Sequence, residues 1–155
     1  MSRTARRLLA AAGVFGLQWL IVGRLRIYGA YPDAVLLFLC WYALREGRRR
    51  GMLTGFGLGL AMDIAYGTWG TQVFVKTLIG FLVGQFPVEE RASLVIRPQQ
   101  ALLGGGVIAL LHNGLLVGLL ALQTQATTEF LLLGLWVGSA VYTAVVGAIV
   151  ALFAQ

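Results

Sequence analysis

The chain has 155 residues, of which 59% are apolar and 12% charged, against about 45–50% and about 25% in an ordinary soluble domain. That balance excludes a soluble fold. Twelve Lys and Arg against six Asp and Glu give a net charge of +6, but the basic residues border long apolar runs and form no basic helix or RNA-binding signature, so nucleic acid is a poor partner. The single cysteine, Cys40, leaves no internal disulfide and no multi-cysteine metal site.

A bilayer core needs about 20 apolar residues per helix. Six apolar runs approach that length, near 8–23, 32–44, 51–66, 71–86, 100–122 and 129–153, broken by charges, prolines and glycine-rich turns. They are continuously apolar, unlike the alternating strands of a membrane barrel. The prediction is an all-α integral membrane protein, a compact bundle of six transmembrane helices forming one domain over residues 1–155. Arg3, Arg6 and Arg7 before the first run resemble the front of a signal peptide. No small-x-small cleavage site precedes Arg24-Leu25-Arg26, so this run is expected to stay as the first span.

Orientation follows from the loops. With a cytoplasmic N-terminus, Arg3, Arg6, Arg7, Arg45, Arg48, Arg49, Arg50, Arg91 and Arg97 fall inside and only Arg24 and Arg26 outside. The positive-inside bias therefore places both termini in the cytoplasm. Tyr28, Tyr31, Tyr66 and Trp69 would then sit at the outer interface, and Trp41 and Tyr42 near the inner one.

Gln18, in the first span, reads as interhelical glue. Pro32 and Asp33 suit the first turn of the second helix, because proline presets the backbone and a carboxylate favours the positive end of the helix dipole. Asp33 also lies within reach of any outer polar cluster. Arg45, Arg48, Arg49 and Arg50 are expected to anchor the inner face to anionic lipid. Gly51, Gly55, Gly59, Asp63 and Gly67 recur every four residues, forming one ridge along the third helix. Glycine lets helix backbones approach closely in lipid, so this ridge and Gly80 with Gly84 are read as packing surfaces. Gly114 with Gly118 and Gly134 with Gly138 are weaker pairs of the same kind. A ridge lining a substrate path is the alternative.

Charges within a bilayer are kept mainly where they have a partner or a task. Asp63 and Lys76 both fall in the outer half of adjacent spans, and the expectation is that they pair and fix the third helix on the fourth. The competing local reading has Lys76 snorkelling outward and Asp63 capping backbone near Gly67. His112 and Asn113 lie mid-span, and a lone histidine without clustered Asp, Glu or Cys is expected to hydrogen-bond a neighbouring helix, with no metal and no cofactor. The sequence carries no HExxH, GxSxG or Walker motif and no paired carboxylates beside a base, so no enzyme is expected.

The segment Tyr31-Pro32-Asp33-Ala34-Val35-Leu36-Leu37, followed by Gly51-Met52-Leu53-Thr54-Gly55-Phe56-Gly57-Leu58-Gly59-Leu60-Ala61-Met62-Asp63, resembles the bacterial rod shape-determining MreD family. In that family a proline with a polar neighbour opens the second span, and a short basic loop leads to a Gly-x-x-x-Gly-Phe-x-x-Gly-x-x-x-Asp-like helix with a glycine-bearing turn after it, matched by Gly67 and Gly70. Gly57 and Gly59 offer two registers for one element, and the match covers about residues 31–86. The resemblance implies a non-enzymatic inner-membrane scaffold of the cell-elongation machinery. It would bind the single-span protein MreC and, indirectly, the RodA glycosyltransferase, a class B penicillin-binding transpeptidase and the MreB filament. Exposed small-residue faces would receive the partner's helix. The family also resembles the six-helix S-components of energy-coupling-factor transporters, which implies an alternative, a solute-binding subunit whose outward cavity is lined by Asp33, Asp63, Lys76 and His112.

Overall fold

A computed structural model describes residues 3–86, 88, 96–124 and 130–153. Among these residues six α-helices follow one another: α1 (Arg3–Leu20), α2 (Ala34–Glu46), α3 (Arg48–Tyr66), α4 (Thr71–Val83), α5 (Pro98–Thr124) and α6 (Ser139–Phe153). A 3-10 turn at Val22–Arg24 follows α1, and a π-helical stretch, Phe130–Gly138, runs directly into α6. Each apolar run of the sequence carries a helix, and no strand occurs among the described residues. Arg91, used in the charge count of the loops, lies outside the described residues.

Among the described residues, length and composition mark three segments as able to cross a membrane: Ala5–Arg24, Pro98–Gln123 and Leu132–Phe153. Six spans were expected, and the difference has a physical origin. α2 and α4 have 13 residues each, about 20 Å at 1.5 Å per residue, whereas a bilayer core measures about 30 Å. α3 has 19 residues but opens on three consecutive arginines.

The helix ends explain the hairpins. Asp33 caps α2 by accepting the Leu36 amide at 2.7 Å, satisfying a donor that the first turn leaves free. α2 stops at Gly47, whose φ of +82° turns the chain straight into α3. α3 stops at Gly67, left-handed at φ +69°, and its amide donates to the Asp63 carbonyl at 2.8 Å. A side chain at such a position would be strained, so the expected packing role of Gly67 is replaced by a capping one. An added Cβ there would meet open space, which separates Gly67 from the rest of its ridge.

α3 and α4 form one closely packed hairpin and α5 and α6 another, with α2 touching both. Leu36 and Ala43 of α2 meet Val75 and Ile79 of α4, Ala109 of α5 and Ala140 of α6 in the main apolar core. α1 packs against α2 and α3 but leaves Leu8, Leu9, Leu17, Trp19 and Leu20 exposed. Arg7, Arg45, Arg48, Arg49 and Arg50 share one end of the bundle, since Arg7 at the start of α1 pairs with Glu46 at the end of α2 at 2.6 Å.

Candidate functional site

Where α2 begins, the interior is polar. Lys76 of α4 is fully buried, and its Nζ donates to Asp33 Oδ2 at 2.7 Å. The same Nζ lies 3.1 Å from His112 Nε2 on α5. An ammonium only donates, so Nε2 must accept, which puts the ring proton on Nδ1. Nδ1 lies 2.9 Å from Asn113 Oδ1 and donates to it. Asn113 Nδ2 then reaches the Trp136 carbonyl at 3.4 Å. One positive and one negative charge thus cancel inside a chain of hydrogen bonds that joins α2, α4, α5 and the stretch before α6. In a low-dielectric interior, a charge is tolerated only when it is paired and its remaining hydrogen-bond capacity is met.

The position of this network follows from the shortness of α2. His112 is near the middle of the 27-residue α5, so α2 starts roughly half-way along the bundle and irregular backbone fills the other half. Irregular backbone inside a bundle survives only where other groups satisfy its amides and carbonyls. Here they do. Gln18 of α1 donates to the Pro32 carbonyl at 3.0 Å and accepts the Ala34 amide at 2.7 Å. Ser139 Oγ accepts the Tyr31 amide at 3.1 Å, and Thr143 Oγ1 accepts the Asp33 amide at 3.0 Å. Residues 31–34 are therefore tied to α1, α4 and α6 at once. The sequence reading had Gln18 as interhelical glue but missed Ser139 and Thr143. A second apolar run too short to span a bilayer was the available signal, because it requires donors and acceptors from elsewhere.

Asp63 stands apart from this network. Its Oδ1 accepts the Thr68 hydroxyl at 2.7 Å and the Gln72 amide at 3.0 Å, and its Oδ2 accepts the Val73 amide at 2.9 Å. The expected Asp63–Lys76 pair is therefore not formed. The free amides at the start of α4 compete for the Asp63 carboxylate, as an anion at a helix N-terminus should be held. Lys76, one turn further along, meets Asp33 because α2 begins at its depth.

Gly51, Gly55 and Gly59 press against α4. A Cβ at Gly51 would come 2.5 Å from the Gly80 carbonyl oxygen, and one at Gly59 would come 2.6 Å from Val73 Cα. A Cβ at Gly55 would collide with the Lys76 carbonyl, one at Gly80 with the Gly51 backbone, and one at Gly84 would lie 2.6 Å from Arg48 Cα. This backbone contact sets the height of Lys76 relative to α2. Gly114 faces the Trp136 indole and Gly138 the Leu133 carbonyl, while Gly118 meets open space.

A family model described as rod shape-determining protein MreD matches residues 10–154, nearly the whole chain. The chain belongs to the MreD family. Its role accordingly lies in rod shape determination, and it is a membrane protein. No curated protein and no solved structure gives a match.

In this MreD-family chain the four arginines at the basic end have different surroundings. Arg50 pairs with Glu46, which Arg7 also holds. Arg45 stacks over the Trp41 ring at 5.3 Å and Arg48 over Phe81 at 5.8 Å. Arg49 is exposed. An apolar cleft of about 880 Å³ lies between α1, α2, α5 and α6. Asp33, Asp63, Lys76 and His112 do not line it; they are buried against other groups. No group of three or more His, Cys, Asp or Glu able to hold a metal occurs among the described residues.

Proposed function

We propose that this MreD-family chain is a non-enzymatic scaffold of the cell-elongation machinery in the bacterial inner, or cytoplasmic, membrane. It binds an MreC-like single-span protein, and through it serves RodA, the class B penicillin-binding transpeptidase and the MreB filament. All six helices belong to the embedded domain, arranged like an S-component, and both termini face the cytoplasm. The observation that carries this reading is the family match over residues 10–154.

The geometry supports a structural role for the polar residues. Among the described residues, Gln72 Oε1 is the one buried side-chain atom left without a hydrogen-bond partner, so Asp33, Lys76, His112 and Asn113 are engaged in holding helices together. Gly51, Gly55 and Gly59 are covered by α4, which leaves the partner's helix to the exposed faces. On α3 these are Leu53, Phe56, Leu60 and Ile64, a stripe at helical spacing away from the glycine ridge. The basic end suits anionic lipid. Solute binding finds no favouring observation, because the charged residues expected around a cavity are packed against other groups.

Co-purification of the tagged chain from its native membranes, with partners identified by mass spectrometry, tests the proposal. An MreC-like protein is expected. Recovery of an ATP-binding transport module in its place would overturn it.

A further inference from the structure

α2 is the floor of the cleft at the basic end of the bundle. α1 packs on α2 and α3, and α6 packs on α5 and touches α2. The α2 surface between them therefore lacks a helix of its own. Val14 and Leu17 form one wall, Gly104 and Val146 the other, and Phe38 and Trp41 lie along the floor. Apart from Gln100 the lining is apolar, and its volume of about 880 Å³ falls in the range of small-molecule sites, about 300–1,000 Å³.

The cleft ends where charge appears. Leu44 and Val88 line it at the basic end, with the Val88 amide donating to the Leu44 carbonyl at 3.1 Å. The guanidinium of Arg45 sits over Trp41, a floor residue, and Arg45 makes no ion pair among the described residues. Gln100 is the polar residue of the lining at this end. Its Oε1 accepts the Arg97 amide at 3.1 Å, which leaves its NH₂ group as a donor. An apolar channel with a cation stacked on one of its floor residues, and bound to no carboxylate among the described residues, matches an amphiphile with an anionic head.

We propose that this cleft binds one anionic phospholipid, with an acyl chain along Phe38 and Trp41 and the phosphate at Arg45. The site rests on the chain being membrane-embedded and is independent of the proposed MreC partnership. Arg45 thus has a binding role distinct from that of Arg49 and Arg50. Gly104 offers a clean probe, since a Cβ there meets open space. A larger side chain at 104 fills the cleft without displacing backbone.

The test is native mass spectrometry of the full chain titrated with phosphatidylglycerol and, separately, phosphatidylcholine. The wild-type chain is expected to hold one phosphatidylglycerol, preferred by about fivefold, the factor one arginine supplies at a membrane surface. Arg45→Gln should abolish the preference, Gly104→Phe should lose both lipids, and Arg49→Gln should behave as wild type. Equal retention of the two lipids by the wild type, or undiminished retention by a folded Gly104→Phe chain, would overturn the proposal. A photo-reactive residue at position 104 supplies an independent readout in native membranes. Capture of a lipid supports the site, whereas capture of a second copy or another protein's helix contradicts it.

Discussion

Lys76 and Asp33 lie 43 positions apart in the chain, yet Nζ and Oδ2 meet at 2.7 Å in the interior, where α2 begins. Removing one member leaves the other as an uncompensated buried charge, which costs about 3–5 kcal/mol. Asp33→Asn and Lys76→Met should each destabilise the chain by about that amount, and the double variant by clearly less than the sum. Thermal unfolding in detergent measures this. Asp63→Asn combined with Lys76→Met should be additive, because the two side chains share no hydrogen bond or ion pair; strong coupling would restore the Asp63–Lys76 pair.

Asp63 acts on the start of α4. Asp63→Ala should cost about 1–2 kcal/mol, as loss of a helix cap does. Hydrogen exchange should quicken at the Gln72 and Val73 amides before it does elsewhere in α4. Unchanged protection there would contradict the capping role.

The α3–α4 contact has no room for side chains. Gly51→Ala, Gly55→Ala and Gly59→Ala should each destabilise by about 1–3 kcal/mol through overpacking. Gly57→Ala, on the same helix but facing open space, should be neutral or slightly stabilising. Equal melting temperatures for Gly55→Ala and Gly57→Ala would show that the backbones do not meet there.

Irregular backbone at residues 31–34 depends on three side chains. Gln18→Leu strands the Pro32 carbonyl and the Ala34 amide, and Thr143→Val strands the Asp33 amide. Each unsatisfied buried group costs about 1–3 kcal/mol. The larger loss should fall on Gln18→Leu, in the same thermal assay. A Thr143→Val chain as stable as wild type would mean that the Asp33 amide has another acceptor.

The proposed orientation is open to labelling. In a Cys40→Ala background, Tyr28→Cys should react with an impermeant maleimide from outside the cell, and Arg49→Cys only after the membrane is opened. Tyr28 is 97% exposed at the tip of its turn and Arg49 is exposed, so access depends on membrane side alone. The reverse pattern would invert the topology.

Much of the fold was legible because apolar runs, prolines and glycines act locally. Each of the six runs holds a helix, and the four-residue spacing of Gly51, Gly55 and Gly59 placed them on one face. The partner of Lys76 was not legible. Sequence proximity favoured Asp63, but pairing is decided by depth, and the depth of Asp33 depends on α2 starting half-way along the bundle. Gly67 fits the four-residue spacing and yet is a cap, since spacing reports a face and not a backbone dihedral. Ser139 and Thr143 reach the chain more than 100 positions away, and no local pattern announces such contacts.

Depletion of the chain in its native rod-shaped cells, followed by microscopy and re-expression, tests the central claim most directly. Cells are expected to lose their rod shape, and wild-type re-expression to restore it. Cells that keep a rod shape after full depletion, and lose uptake of a solute instead, would contradict a scaffold of elongation.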